Sequence, residues 1–441
     1  MTTSIAQMQT ILTDVLETQA NELARQTGFV KRERVLSGAD FVQGMSFGWL
    51  NAPDARLEEL TQALSYRNVQ ISSSGLSQRF TPEAAHFLEA VLQQLVMHTV
   101  CVSPAPIELL NRFGAVIIED STTIALPDAL QKEWRGCGGR QGHTASAMKV
   151  HVQWDLLQGS LAGPVLTDGR VADQCSPLRE RPLEAGCLYI TDIGYFGLNW
   201  LHRHTQTGGL YLTRPRSTTC FLTTDAQRLD LLEIGPWVVH QCVDLPVLVG
   251  TRVKLPARLL MIRLPDEVIE QRREKIWATA KKHGKTPTVR QLALAQWTIL
   301  ITNVPVAQLS ISEAVVLQRA RWQIELLFKL WKEHGLLDEW RTNNPWRILC
   351  EIISKLIALL IQHWVLLQGS WQDPSRSLVK AAKIVRKHAL EFLVLLMHHD
   401  SLLPLFQRLE QAMRSGCRLN RRGQDPGLPQ LLLEGLNWTL T

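Results

Sequence analysis

Three carboxylates stand out as the residues best suited to chemistry. Asp120 ends the run AVIIED, and Asp192 ends the run CLYITD. Both runs predict strands, and in open α/β sheets the catalytic and ligand groups lie at the carboxyl ends of strands. Glu325 lies within RARWQIELLFKLWK, a segment that predicts a helix. Two strand acids and one helix acid form a set of oxygen ligands that suits Mg²⁺.

A site of this kind predicts phosphoryl transfer. Two divalent ions about 4 Å apart can stabilise both the attacking and the leaving oxygen of a phosphodiester displacement. Each strand acid also has a simpler interpretation, because Asp120 could cap a turn at Ser121 and Asp192 could open a turn at Gly194. The long, irregular spacing of the acids does not choose between these interpretations.

The Glu325 segment has an unusual distribution of charge. On a helical wheel, Arg321, Glu325, Lys329 and Lys332 form one narrow stripe, and apolar side chains occupy most of the remaining circle. Surface helices have a broad polar face, so this pattern predicts a mostly buried helix whose glutamate needs a cation. The alternative is an exposed ladder of i,i+4 ion pairs, each contributing about 0.3–0.5 kcal/mol.

Composition indicates a folded protein of several domains. The chain has 441 residues, 45% of them hydrophobic and 20% charged, with a net charge of +6 that permits a polyanionic partner without requiring one. Its eight cysteines lack CxxC spacing and predict free thiols, and the N-terminus lacks a secretory pattern. The apolar segment 353–371 contains Lys355, Gln362 and His363, and it predicts a buried core helix rather than a membrane span. We therefore expect a cytoplasmic protein with no membrane partner.

The pattern of hydrophobic residues predicts an α/β fold flanked by helices. Residues 1–110 are helical in pattern, with a predicted helix start at Thr81. Short apolar runs from about residue 113 predict five strands, with a short helix over Leu198–His204 before the fifth. Further strands and one basic helix follow in 216–306, and residues from 345 onward are helical up to a Gly/Pro-rich tail.

The acidic segments together resemble a known family. IIEDST, YITDIGYF and RARWQIELLFKLWK resemble, in this order, the three acidic motifs of DDE transposases of the insertion-sequence-4 family. The helix signature of that family is Tyr, two residues, Arg, three residues, Glu, six residues, Lys. Arg321, Glu325 and Lys332 match this spacing, whereas Gln318 occupies the Tyr position. TNVP and KKHGK are also similar, so the resemblance covers roughly residues 30 to 370.

This resemblance implies a domain arrangement. It implies an RNase H-like core that carries Asp120, Asp192 and Glu325, with a β-rich insertion domain, a helical N-terminal domain and a helical C-terminal region. The expected boundaries are 1–110 for the N-terminal DNA-binding domain, 111–215 for the first part of the core, 216–306 for the insertion, 307–370 for the second part of the core with the Glu helix, and 371–441 for a C-terminal region expected to dimerise.

The resemblance also implies an activity. Family members cut DNA at transposon terminal inverted repeats and join the ends to target DNA, using two Mg²⁺ ions, or Mn²⁺ in their place, held by the three acids. We therefore expect a homodimer on paired ends, acting in the bacterial cytoplasm on nucleoid DNA. A nuclease that cuts without joining, and a catalytically silent DNA-binding derivative, remain alternatives.

Several residues are expected to contact DNA. Arg321 and Lys332 are expected to hold phosphates near the cut, with Lys329 and Trp322 beside them, while Gln318 is expected to alter the phosphate contact of the family Tyr. Trp297 lies 28 positions before Glu325, where the resemblance implies a Trp that fills the place of a flipped base. The alternative is that Trp297 merely covers its strand.

Basic residues cluster within the predicted helix that precedes Trp297 and just after it. Its members are Arg272, Arg273, Lys275, Lys281, Lys282 and Lys285. A solvated helix face is one interpretation. Beside a DNA-cutting site, contacts to phosphates are the other, since such contacts position DNA without reading its sequence.

Overall fold

The computed structural model describes residues 2–32, 35–138, 145–182, 184–282, 284–419 and 432. The last part of the predicted C-terminal region, 420–441, lies outside the described residues apart from Leu432. The helices are α1 (Ile5–Thr13), α2 (Ala20–Gln26), α3 (Gly38–Asn51), α4 (Leu57–Ser65), α5 (Ser73–Ser77), α6 (Pro82–Val96), α7 (Leu198–Gln206), α8 (Leu231–Ile234), α9 (Asp266–Lys282), α10 (Val289–Leu294), α11 (Ile311–Ala320), α12 (Trp322–Lys329), α13 (Pro345–Ser370), α14 (Leu378–Lys387), α15 (Ala389–Met397) and α16 (Leu403–Gly416).

The strands form one mixed sheet. They are β1 (Val116–Leu126), β2 (Ser146–Asp155), β3 (Leu161–Asp168), β4 (Leu188–Thr191), β5 (Leu210–Thr213), β6 (Phe221–Leu222), β7 (Arg228–Leu229), β8 (Cys242–Val249), β9 (Leu255–Arg263) and β10 (Trp297–Thr302). Their order across the sheet is β3-β2-β1-β4-β5-β10-β9-β8-β6-β7. β1, β4 and β5 are parallel neighbours, while β2 and β3 are added antiparallel beside β1.

The α/β class predicted from the sequence is confirmed. Strands from the predicted insertion, β6 to β10, continue the sheet that begins with β1 to β5 rather than forming a separate one. β10 joins the two parts, because it pairs antiparallel with β5 on one side and with β9 on the other. The RNase H-like character of the core and the domain boundaries remain predictions.

A helical body covers one face of the sheet. Its centre is α13, whose residues are almost all buried and which packs against α3, α6, α14 and α16. Among the described residues α13 is the one helix long and apolar enough to cross a membrane, and its surroundings are other parts of the protein. The prediction of a buried core helix is therefore confirmed. The eight cysteines are free thiols, also as predicted.

The two faces of the sheet have separate cores because side chains alternate along each strand. Ile118, Ile190 and Leu212 point toward the helical body and belong to the larger core. Tyr189 and Tyr211 point the other way, into a smaller core that includes residues of α7. Along β1, β4 and β5, even-numbered residues therefore face the helical body, and odd-numbered residues face the smaller core.

The Glu325 helix differs from the prediction of a mostly buried helix. Trp322 is 56% exposed and Leu326 is 43% exposed, so one side of α12 faces solvent while the opposite side packs on β1. The helix is also not continuous: α11 ends at Ala320, Arg321 lies at the junction with α12, and residues Leu330–His334 form a π-helical turn. A helical wheel shows which side chains are apolar but not which of them face solvent, so it could not show that Trp322 is exposed.

Candidate active site

The parallel register places three residues side by side. Ile118 pairs with Ile190, and Ile190 pairs with Leu212, in neighbouring strands. Two residues further along each chain are Asp120, Asp192 and Arg214. Because parallel neighbours at one level share a face of the sheet, these three residues form a row on the face that the helical body covers.

The strands separate at this row. Ile118 is the last residue of β1 paired with β4, and β4 itself ends at Thr191, immediately before Asp192. Asp192 thus follows its strand as predicted. The prediction that Asp120 ends its strand is wrong, because β1 continues to Leu126 through antiparallel pairing with β2. β1 projects past its parallel neighbour as one arm of a two-stranded ribbon, and Asp120 lies at the point of divergence.

Asp120 is held by backbone and by charge. Its Oδ1 accepts a hydrogen bond of 2.8 Å from the Ser121 backbone N–H, and its Oδ2 lies 3.5 Å from the Arg321 guanidinium. The pKa of Asp120 is raised from its usual 3.8 to about 6, chiefly because the carboxyl is partly buried. The Ser121 hydrogen bond and Arg321 lower it, while the charges of Glu325 and Asp192 raise it. These opposing effects indicate that the three carboxylates act on one another.

Glu325 reaches the same place from α12. Its Oε1 accepts a hydrogen bond of 2.7 Å from Arg321, so one guanidinium contacts both Asp120 and Glu325. Among the residues that the structure describes, no group of three or more Asp, Glu, His or Cys side chains is assembled as a ready metal site. Arg321 supplies the positive charge between the two carboxylates instead.

The family relationship is settled by comparison with known proteins. Residues 111–361, more than half of the chain, match the family described as "Transposase DDE domain". The chain belongs to the DDE transposase family.

Curated members of this family are related along most of their length. The transposase for insertion sequence element IS231E of Bacillus thuringiensis subsp. finitimus is 26% identical over 423 residues, covering 90% of this chain and 85% of its own. The transposase for IS1151 of Clostridium perfringens is 24% identical over 366 residues, covering 78% and 76%. The transposase for IS421 of Escherichia coli is 23% identical over 371 residues, covering 80% and 92%. The resemblance to DDE transposases is thus confirmed, and the narrower insertion-sequence-4 assignment remains a prediction.

In this member of the DDE transposase family, Lys332 and Lys329 differ in their contacts. Lys332 donates a 3.0 Å hydrogen bond to the Thr123 carbonyl of β1 and lies 3.2 Å from Asp338. It therefore ties the end of the Glu325 helix to the strand that carries Asp120. Lys329 is exposed and pairs with Glu333 at 3.6 Å.

Gln318 and Trp297 are both buried. Gln318 is 7% exposed, and its Oε1 has no hydrogen-bond partner among the described residues. Trp297 is 2% exposed, and its indole N–H donates to the Pro236 carbonyl at 2.7 Å. In this structure Trp297 covers its strand, which is the alternative that the sequence left open, and Gln318 lies away from solvent.

The basic cluster divides into anchors and exposed charges. Arg272 donates to the Trp297 carbonyl and to Thr298 Oγ1, both at 3.1 Å, and Arg273 donates to the Leu292 carbonyl at 3.2 Å. Arg272 thus fastens α9 to β10, and Arg273 fastens it to α10. The remaining members are exposed, namely Lys275, Lys281, Lys282 and Lys285. Lys281 and Lys282 form the basic end of α9, in which Ile269 is the one buried residue, and Lys285 follows that helix.

Arg214 is a site residue that the sequence patterns did not single out. It directly follows β5 and completes the row with Asp120 and Asp192. Burial of its guanidinium and the charge of Arg321 lower its pKa, while Asp192 raises it. The pKa of Arg272 is lowered to about 10, chiefly by burial and further by the charge of Arg214. A basic residue just past the third parallel strand, at the level of two acids, was the signal available in GGLYLTRPR.

Trp237 is an exposed aromatic residue that the sequence patterns also did not single out. It is 64% exposed and lies edge-on to Trp297, with ring centroids 6.0 Å apart. The β-branched residues of WVVHQ predict a strand. The segment instead forms an irregular connection before β8, which leaves the indole of Trp237 accessible.

Proposed function

We propose that this chain is a DNA transposase that cuts transposon ends and joins them to target DNA by two-metal-ion phosphoryl transfer. The observation that carries the proposal is the register that sets Asp120 level with Asp192, together with the contact of Arg321 to both Asp120 and Glu325. The insertion-sequence transposases related to this chain support the same activity. Mg²⁺ is the expected ion, with Mn²⁺ as a substitute.

The residues fit divalent cations. Asp192 and Glu325 each make ionisation of Asp120 harder, as expected for carboxylates gathered at one place without enough positive charge. Asp120, Asp192 and Glu325 would hold the ions, and the ions would activate the attacking oxygen and stabilise the leaving 3′-oxygen. Arg321 would then be released from its two carboxylates and become available to a DNA phosphate.

The protein's own cations would position the DNA. Arg321 and Arg214 flank the acids and carry the planar donor geometry that suits phosphate. Lys332 keeps the Glu325 helix against β1 through Thr123. Trp322 and Lys329 lie on the exposed side of α12, where they are accessible to a duplex. Gln318 and Trp297 would need a local rearrangement before either could touch DNA.

The larger architecture follows from the same proposal. The order β3-β2-β1-β4-β5, with β2 antiparallel, supports an RNase H-like core continued by an insertion in the same sheet. Residues 1–110 would supply DNA binding. The helical region after 371 would supply the dimer contact needed to hold two transposon ends together.

The exposed lysines of the α9 end are expected to bind phosphates. The double variant Lys281→Ala/Lys282→Ala should weaken DNA binding several-fold at moderate salt, because removing a lysine that neutralises a phosphate reduces the slope of log K against log salt by about 0.9. Fluorescence anisotropy over a range of KCl concentrations measures both quantities. The matched control is Lys383→Ala/Lys387→Ala, two exposed lysines of α14. Equal slopes for both double variants and the unmodified protein would remove α9 from the DNA interface.

The alternatives differ in their products. The purified protein is incubated with Mg²⁺, labelled transposon-end DNA and a target plasmid. A transposase yields labelled end joined to plasmid, a nuclease yields only cuts, and a silent DNA-binding protein yields a retarded complex without cuts. EDTA should abolish both kinds of product. Binding without cutting, in the presence of Mg²⁺ or Mn²⁺, would contradict the proposal.

A further inference from the structure

One segment of the chain contacts both β1, on the face opposite Asp120, and the turn that follows β4. Glu119 and Ser121 flank Asp120 in sequence and therefore point to the opposite face of β1. Both contact residues 173–180, which we call the bridging segment. It consists of the 3₁₀ turns Asp173–Cys175 and Pro177–Glu180, between β3 and β4.

Two contacts join the bridging segment to β1. The first is the hydrogen bond of 2.9 Å that Ser121 Oγ donates to Asp173 Oδ1. Lys149 of the neighbouring strand β2 donates to the same oxygen at 3.0 Å. The second contact is at Glu119, the residue before Asp120 in sequence, whose Oε2 accepts a hydrogen bond of 3.1 Å from Arg179 Nε. The backbone that carries Asp120 is thus held on both sides by one segment.

The same segment reaches the turn that carries Asp192. This turn is the 3₁₀ helix Ile193–Tyr195, which packs against Asp173–Cys175. The Arg179 guanidinium lies 5.2 Å from the centre of the Tyr195 ring and 4.1 Å from that of Trp200 on α7. A Cβ atom added at Gly194 would lie 3.2 Å from Asp173 Oδ2, so the turn and the segment approach closely.

Backbone pairing sets Asp120 and Asp192 at the same level along their strands, but it does not fix the distance between them. The β1–β4 ladder ends at Ile118 and Ile190, two residues before either acid. Beyond that point the separation of Asp120 and Asp192 depends on contacts outside the ladder. The bridging segment is the element that touches both sides, through Glu119 and Ser121 on β1 and through Tyr195 beside Asp192.

The Glu119–Arg179 pair is poorly arranged for stability alone. The two side chains are 0% and 3% exposed. Within the described part of the chain, Glu119 Oε1 and one guanidinium nitrogen of Arg179 have no hydrogen bond of good geometry, although the Ser176 and Gln153 side chains lie near enough to help lower the pKa of Glu119 against the larger, raising effect of burial. Buried ion pairs that leave polar atoms unpaired stabilise proteins little compared with apolar side chains of similar size.

We propose that Arg179 is a positioning residue, which sets the separation of Asp120 and Asp192 by joining the back of β1 to the Tyr195 turn. It touches neither acid. This inference rests on the proposed metal-dependent function, because its consequence is a correctly spaced pair of ligands. Such supporting residues typically change metal affinity or activity about 10–100-fold when they are replaced.

The test separates positioning from folding. Arg179→Met alone leaves Glu119 buried without a partner and is expected to lower the melting temperature. The double variant Glu119→Gln/Arg179→Met removes both charges and should recover most of that loss. If Arg179 positions the acids, the double variant still binds Mn²⁺ about tenfold more weakly, measured by electron paramagnetic resonance without DNA. Its cleavage should need correspondingly more Mn²⁺, while its affinity for DNA in EDTA stays unchanged.

The matched control is a second deeply buried ion pair, Glu351 and Lys355 of α13, whose side chains are 4% and 2% exposed. Glu351→Gln/Lys355→Met should leave Mn²⁺ affinity unchanged. Arg179→Lys keeps the charge without the planar stack on Trp200 and should give an intermediate Mn²⁺ affinity. Should the Glu119–Arg179 double variant fail to fold, the Mn²⁺ affinity of Arg179→Lys decides instead.

The outcomes distinguish the two proposals. Normal Mn²⁺ affinity in a folded Glu119→Gln/Arg179→Met protein, or in a folded Arg179→Lys protein if that variant is the one that decides, overturns the positioning role and leaves the proposed function intact. Absence of Mn²⁺ binding and of cleavage in the unmodified protein overturns the proposed function itself.

Discussion

Asp120→Asn, Asp192→Asn and Glu325→Gln are each expected to lower DNA cleavage at least about 1,000-fold, which corresponds to about 4 kcal/mol of transition-state stabilisation. Each substitution keeps the size of the side chain and removes the charge that a divalent ion requires. Asp120 and Asp192 each stand two residues beyond a paired position of neighbouring strands, and Glu325 shares Arg321 with Asp120, so each substitution removes one of the three carboxylates gathered there.

Single-turnover cleavage of labelled transposon-end DNA in Mg²⁺ measures this effect. DNA affinity, measured in EDTA, should remain within a few-fold of that of the unmodified protein. Asp168→Asn is the matched control, because Asp168 is also a carboxylate of the sheet but lies at the end of β3, 3.5 Å from Arg170. Full cleavage by any of the three triad variants would show that the reaction does not use that acid.

Asp120→Asn is expected to make the metal-free protein more stable near neutral pH. The pKa of Asp120 is raised in the folded protein from 3.8 to about 6. A carboxyl with a raised pKa favours folding below its unfolded pKa, and this contribution is lost as the pH rises through about 6. Above pH 6 the charged Asp120 therefore destabilises the fold, by an amount of about 1–3 kcal/mol that the substitution removes.

Thermal unfolding in EDTA at pH 4 and at pH 8 measures this second effect. The variant should melt several degrees above the unmodified protein at pH 8 and close to it at pH 4. Mg²⁺ should raise the melting temperature of the unmodified protein more than that of the variant, since the ions offset the repulsion between carboxylates. A variant that melts lower at pH 8 would mean that Arg321 already compensates Asp120 in full.

The order of the elements and the candidate acids could be predicted from local patterns. Alternating and β-branched runs predicted the strands that carry Asp120 and Asp192, and an N-cap at Thr81 begins α6 as predicted. The apolar run around Lys355 predicted a buried helix, and in α13 the lysine is paired with Glu351. These features depend on neighbours within a few residues, which the sequence displays directly.

Local patterns failed where partners are distant in the chain. The extension of β1 beyond Asp120 depends on pairing with β2, and the exposure of Trp322 depends on which side of α12 meets β1. Arg272 and Arg273 looked like surface charges, yet they donate to backbone carbonyls of Trp297 and Leu292. Burial of a long basic side chain depends on acceptors contributed by another element.

The sequence by itself determined which residues can do chemistry, because residue type and short-range spacing set the carboxylates, the Arg–Glu–Lys helix signature and the secondary structure around them. Only the tertiary structure decided how these groups meet. The register of β4 between β1 and β5 brings Asp120, Asp192 and Arg214 into one row, and the fold places Arg179 behind that row. The physical reason is that strand register and buried ion pairs are set by contacts between segments tens of residues apart, for which no local pattern carries a signal.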